Sequence, residues 1–165
     1  ETPSSPGKGW DAACKRIVTW AELIDKRTGS NFFVFNTHFD HRGELARRKS
    51  AELIVKKIRE IANGKPMVVT GDFNCTPGSA PYAVLTSDAS GLHDARIVSA
   101  SGHYGPSGTF SGFGSTGKEQ DQPIDFIFTS PEVAVKAHAT ISDSKNGRFP
   151  SDHMPVLAEV VLQPE

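Results

Sequence analysis

Residues 65–74 read Lys-Pro-Met-Val-Val-Thr-Gly-Asp-Phe-Asn, and the fold is decided there. Pro66 cannot continue a helix, and Met67 to Val69 form a short buried strand that runs straight into Gly71-Asp72-Phe73-Asn74. Upstream, Ala51, Ile54, Ile58 and Ile61 are spaced 3, 4 and 3 apart, which predicts a helix over Glu44 to Ala62 with Gly64 as its stop. Before it, apolar patterns over 16–24 and 31–38 flank the turn Lys26-Arg27-Thr28-Gly29-Ser30, predicting an antiparallel hairpin. Downstream, Pro77-Gly78-Ser79 is a turn, with Ser79 as N-cap of a short helix over 80–86. Residues 99–122 are rich in Gly and Ser and read as a long surface loop. Strands follow over 124–128, 133–141 and 156–162, with a loop over 142–150. The pattern is mixed α/β, with polar residues gathered where strands end.

Composition bounds the classes of function. The chain has 165 residues, 18 Lys plus Arg and 19 Asp plus Glu, for a net charge of −1. That suits one domain at most and gives no general pull towards nucleic acid or an anionic membrane. Apolar runs are only a few residues long, so no transmembrane segment is expected. Two cysteines, Cys14 and Cys75, cannot build a disulfide scaffold, and no CxxC pair points to zinc or thiol redox chemistry. The chain opens on Glu1 with no signal-like run. The expectation is that its true beginning lies upstream, together with any signal peptide of a secreted or periplasmic protein.

Short clusters place a carboxylate, amide or imidazole at the end of an apolar strand: Asn36-Thr37-His38, Gly71-Asp72-Phe73-Asn74, Ile124-Asp125-Phe126 and Ser151-Asp152-His153. An Asp after a strand is, taken singly, a common turn or cap residue. Together the clusters match what phosphoester hydrolysis requires. A hard divalent cation needs carboxylate oxygens, an attacking water needs a base, and the phosphate oxygens need donors. Asp72, Asp125 and Asp152 offer the carboxylates, Asn74 a neutral donor, and His38 and His153 donors or proton carriers. The set suits magnesium or manganese better than zinc, for which no HExxH-type spacing is present.

The series NTH, GDFN, IDFIF and SDH, in this order and spacing, resembles the endonuclease/exonuclease/phosphatase superfamily. The strings NTHFDH (36–41) and SDHMPV (151–156) are most similar to its phosphatase-like branch. The resemblance implies an α/β (α+β) fold, the deoxyribonuclease I-like four-layer sandwich of two mixed sheets flanked by helices. It also implies a role for each motif residue. His38 contacts the phosphate or leaving group, Asp72 orients and deprotonates the water, and Asn74 holds that water or phosphate. Asp125 pairs with His153, His153 donates to the phosphate, and Asp152 ligates magnesium. His41 and Arg16 are further candidates for substrate contact, with a loop histidine capping the helix and an ordinary ion pair as their respective alternatives. Thr109, Phe110 and Phe113 resemble a family segment before IDFIF, with core packing or loop anchoring as their expected role and an aromatic substrate wall as the alternative. His93, His103 and His138 have no partner at ligand spacing and read as structural, and Cys75 as incidental.

The family's first part carries an Asn and a magnesium-binding Glu, and nothing before Trp10 matches either. Residues 1–165 are therefore expected to be the C-terminal two-thirds of the domain, with the N-terminal part of the same domain as partner and an edge strand left uncovered. The expected function is divalent-metal-dependent hydrolysis of a phosphomonoester or phosphodiester in a small molecule or lipid head group. A nuclease of the same fold is the alternative, disfavoured by near-neutral charge. A non-catalytic fragment or pseudoenzyme is the second.

Overall fold

The computed structural model describes residues 5, 7–114 and 121–162. Its elements are β1 (Val18–Ile24), β2 (Asn31–His38), α1 (Glu44–Ala62), β3 (Met67–Asp72), α2 (Ala80–Leu85), β4 (His93–Asp94), α3 (Ala95–Val98), β5 (His103–Tyr104), β6 (Asp125–Thr129), β7 (Val133–Thr140) and β8 (Val156–Leu162). They form two mixed sheets with helices. The larger has the order β1-β2-β3-β6-β4 and the smaller β5-β7-β8. The predicted hairpin is present, since β1 and β2 pair antiparallel, while β2 and β3 pair parallel across the crossover helix α1.

The expected elements are all found, with boundaries shifted by a residue or two. Helix α1 ends on Asn63, whose φ of 47° is left-handed and whose N–H reaches the Arg59 carbonyl; Gly64 follows it. Ser79 stands at the predicted N-cap of α2, but its hydroxyl donates back to the Thr76 carbonyl instead of receiving a helical N–H. Elements β4 and α3 are additional to the expected ones, because two- and four-residue segments carry no periodicity. The stretch read as a loop over 99–122 contains β5 and a short 3-10 turn over 112–114; residues 115–120 of it lie outside the described residues.

One face of the larger sheet is covered by α1 and α2. Phe33, Phe35 and Phe39 from β2 and the segment after it, Ile54 and Ile58 from α1, Val69 and Phe73, Leu85 from α2, and Phe126 and Phe128 from β6 make a continuous apolar core. Phe73 is its hub, with edge-on ring contacts to Phe39 and Phe128 at centroid distances of 5.0 and 5.1 Å. Alternation then sends the opposite set of side chains, including His38, Asp72 and Asp125, to the other face. Helix α1 thus packs its apolar side on the face of the sheet opposite the polar row.

Candidate active site

Register builds the row. His38 lies opposite Asp72 in the β2–β3 pairing, and Asp72 lies opposite Asp125 in the β3–β6 pairing. Three adjacent strands thus place these residues side by side at one end of the strands. The close approach needed there depends on Gly71, where a Cβ would fall 1.9 Å from the Thr37 carbonyl oxygen. That glycine also sits at φ +154°, which side-chain-bearing residues rarely adopt.

Distances join the row into a network. His38 Nε2 is 3.2 Å from Asp72 Oδ2, and His153 Nε2 is 3.9 Å from the same oxygen. His153 Nδ1 is 2.8 Å from Asp125 Oδ2. A carboxylate only accepts, so Nδ1 carries the hydrogen and Nε2 faces Asp72. Asn74 adopts φ 46° and curls back, its N–H reaching Asp72 Oδ1 at 2.8 Å. Its Nδ2 donates to the Phe39 carbonyl at 3.0 Å and to Asp72 Oδ2 at 3.2 Å. Both amide hydrogens are thereby committed, and Asn74 holds Asp72 in place as well as lining the site.

Burial and charge tune the two central groups in opposite ways. Burial raises the Asp72 carboxyl above its ordinary value; the Asn74 N–H opposes this, the Asp125 charge adds to it, and the two imidazoles oppose it, leaving a net rise. Burial alone would lower the His153 imidazole, but the hydrogen bond and charge of Asp125, with Asp72 and Asp152, outweigh it and raise the value. Asp72 is thus a half-buried carboxylate of increased basicity, and His153 an imidazole whose protonated form Asp125 favours. That is a base beside a donor.

The remaining candidates divide. Single atoms from Asp72, Asp125 and His153 all lie within 4.8 Å of one another, and Asp152 is not part of that group. Among the described residues the Asp152 carboxylate takes only the Ser151 hydroxyl, at 3.3 Å on Oδ1, while its backbone carbonyl receives the Ser111 and Gly112 N–H groups. Arg16 and His41 meet, Nη2 to Nδ1 at 3.4 Å, beyond the end of β2. His41 also lines, with Asn74, Arg47, Thr76, Ser79, Asp121 and Gln122, a polar cavity of about 750 Å³. Cys75 is buried in the core with its thiol pushed up to about 11 by burial, so it stays neutral.

Sequence reading missed three sets of contacts. Asp40, 2% exposed, accepts N–H groups from Cys14, Arg42 and Gly43 and fixes the loop after His38. Thr109, 1% exposed, donates its hydroxyl to Asp125 Oδ2 at 2.6 Å. His103 and His138 do have a partner, namely each other: the parallel β5–β7 register sets their Nδ1 atoms 2.9 Å apart. Burial, then the neighbouring His103 and Arg96, push the His138 ring down to about 4, so it is neutral. The only hints were a Thr-Phe pair before a carboxylate strand and an Asp two residues past a strand end. Neither has a spacing rule.

The model of the Endonuclease/Exonuclease/phosphatase family matches residues 9–153. A Bacteroides vulgatus endonuclease/exonuclease/phosphatase structure is 44% identical, with a TM-score of 0.88 over 95% of this chain and 59% of its own. A mannosyl-6-phosphatase of Bacteroides thetaiotaomicron is 37% identical, with a TM-score of 0.90 over 98% of this chain and 63% of its own. The Escherichia coli K12 protein YbhP is 26% identical over 92% of this chain and 55% of its own. The chain thus spans about six-tenths of those structures and about half of that curated relative.

Proposed function

The chain belongs to the endonuclease/exonuclease/phosphatase family, and from that premise we propose that it carries the phosphate-cleaving part of a hydrolase acting on a small phosphoester. The observation that carries the reading is Asp72 held between two imidazoles, with His153 backed by Asp125. Asp72, raised by burial and oriented by Asn74, takes the proton of an attacking water. His38 and His153 present N–H donors to the phosphate oxygens as charge builds there. Asp125 accepts from Nδ1 and stabilises the charge of the protonated ring, in which Nε2 also carries a hydrogen and is the donating atom. His41 and Arg16 stand at the margin as substrate contacts.

A magnesium or manganese ion fits the donor set through Asp152. This carboxylate has one weak hydroxyl contact and no backbone N–H on its oxygens among the described residues, whereas those of Asp72 and Asp125 are already engaged. Bound there, the ion would neutralise phosphate charge. The similar mannosyl-6-phosphatase and the net charge of −1 both favour a small phosphorylated sugar over a long nucleic acid as substrate.

We propose further that residues 1–165 are the C-terminal two-thirds of the domain. Coverage of 59% and 63% of the two Bacteroides structures supports this. So do the outer edges of β1 and β8, unpaired among the described residues, and the exposure of Ile17, Trp20 and Ile24 along and just before β1. The test measures phosphate release from hexose 6-phosphates with magnesium, by the chain alone and by a version extended with the family's N-terminal part. The extended protein is expected to turn over at least about 100-fold faster than its Asp72→Asn variant. Turnover that survives both Asp72→Asn and His153→Ala would sink the catalytic reading. Full activity in the 165-residue chain alone would sink the partial-domain one.

A further inference from the structure

Asp125 and His153 come from different parts of the fold: one opens β6, and the other sits in the loop before β8. Their pairing needs something to hold both at once. The segment Thr109–Gly112 touches each of them. The Thr109 carbonyl receives the Met154 N–H at 2.7 Å, and the Asp152 carbonyl receives the Ser111 and Gly112 N–H groups at 2.7 and 3.0 Å. Phe110 forms a β-bridge with His153 and meets its ring edge-on at 5.1 Å between centroids. His153 is therefore bracketed by backbone bonds on either side.

The hydroxyl of Thr109 completes the other half. Its one hydrogen goes to Asp125 Oδ2 at 2.6 Å. Its oxygen accepts the N–H groups of Ile124 at 3.0 Å and Asp125 at 3.2 Å. A hydroxyl has one hydrogen and two lone pairs, so all three valences are filled and it has no other orientation to adopt. Thr109 is 1% exposed, so its hydroxyl bond to Asp125 lies on the side away from bulk water. The same Oδ2 that accepts from Thr109 accepts from His153 Nδ1 at 2.8 Å. One carboxylate oxygen is thereby pinned from behind and offered to the imidazole in front.

We propose that Thr109 is a positioning residue for the proposed reaction: its hydroxyl locks the Asp125 carboxylate and so fixes the tautomer and orientation of His153. The inference rests on the catalytic reading of the Asp125–His153 pair. A loop anchor would supply only stability. A positioning residue must also decide which ring nitrogen carries the hydrogen, since loss of the lock frees the carboxylate to rotate off Nδ1.

Side-chain ¹⁵N spectra of the histidine-labelled chain, recorded on the neutral imidazoles, read that tautomer directly. In the unaltered chain His153 is expected in the Nδ1–H form. In Thr109→Val the Nε2–H form is expected to become the major one, while Thr109→Ser, which restores the hydroxyl, returns the Nδ1–H form. Should Thr109→Val not fold, as judged by thermal unfolding, Thr109→Ala must show the same exchange of tautomers. Nδ1–H dominance that persists in the hydroxyl-free variant overturns the proposal, as does its loss in Thr109→Ser. Asp125→Ala separates the two levels. If the Nδ1–H form survives that change too, the pairing itself is refuted; if only Asp125→Ala removes it, the role of Thr109 alone falls.

Discussion

Asp40→Asn is the most informative single change outside the reacting groups. Asp40 is 2% exposed, and its carboxylate gathers the N–H groups of Cys14 at 2.8 Å, Arg42 at 2.9 Å and Gly43 at 2.7 Å. Burial would raise this carboxyl, but those N–H groups, with that of Ala13, hold it well below the usual carboxylate range. Asparagine keeps the shape yet loses the charge. One of its ends must be an amide nitrogen, which donates and so faces an N–H with another N–H. If the oxygen stays on Arg42 and Gly43, the Cys14 bond is lost. Hydrogen bonds to a charged group are worth about 1.5–3 kcal/mol, so the expected loss is about 3 kcal/mol at pH 7. Urea unfolding followed by the fluorescence of Trp10 and Trp20 measures it. The sign of the pH dependence is fixed as well. A carboxylate depressed in the folded state stabilises above the unfolded value of about 4, and that contribution is lost as pH falls through the folded value. The gap between the two proteins should therefore narrow below about pH 4. A loss under about 1 kcal/mol at pH 7, or one that is the same at pH 7 and pH 3, refutes the reasoning.

Two further outcomes follow from the same geometry. Activity should have an acid limb above the ordinary carboxylate value, where the raised Asp72 loses its ionised form, and an alkaline limb above the ordinary imidazole value, where His153 loses its proton. Rate profiles over pH check this, and an alkaline limb below about 6.5 contradicts the role given to His153. Gly71→Ala puts a methyl group 1.9 Å from the Thr37 carbonyl in the middle of the sheet. It should destabilise by about 3 kcal/mol and lower the melting temperature by about 10 °C, and a drop under about 2 °C argues against the tight β2–β3 approach.

Much of the fold was legible because local rules govern it. Apolar spacing marked α1, and the alternating or continuous apolar runs marked β1, β2, β3, β6, β7 and β8. Short elements such as β4 and β5 were not legible, since two residues carry no period and exist only because a neighbouring strand pairs with them. The reacting groups were visible as polar residues closing apolar strands. Their supports were not. Thr109 serves Asp125 16 positions away, and Asp40 reaches Cys14 26 positions back. No periodicity encodes such separations.

The strands, the main helix and the side chains that end each strand follow from side-chain volume, branching and hydrophobic period, all of them local. Tertiary structure alone decided which of these residues meet. The β2–β3–β6 register set His38, Asp72 and Asp125 in one row, and segment 109–112 brought His153 against it. Register and loop closure depend on the whole sheet and its core. The chemistry of each group was local, but its pKa direction and its partner were not, since both follow from burial and charge that only the folded chain supplies.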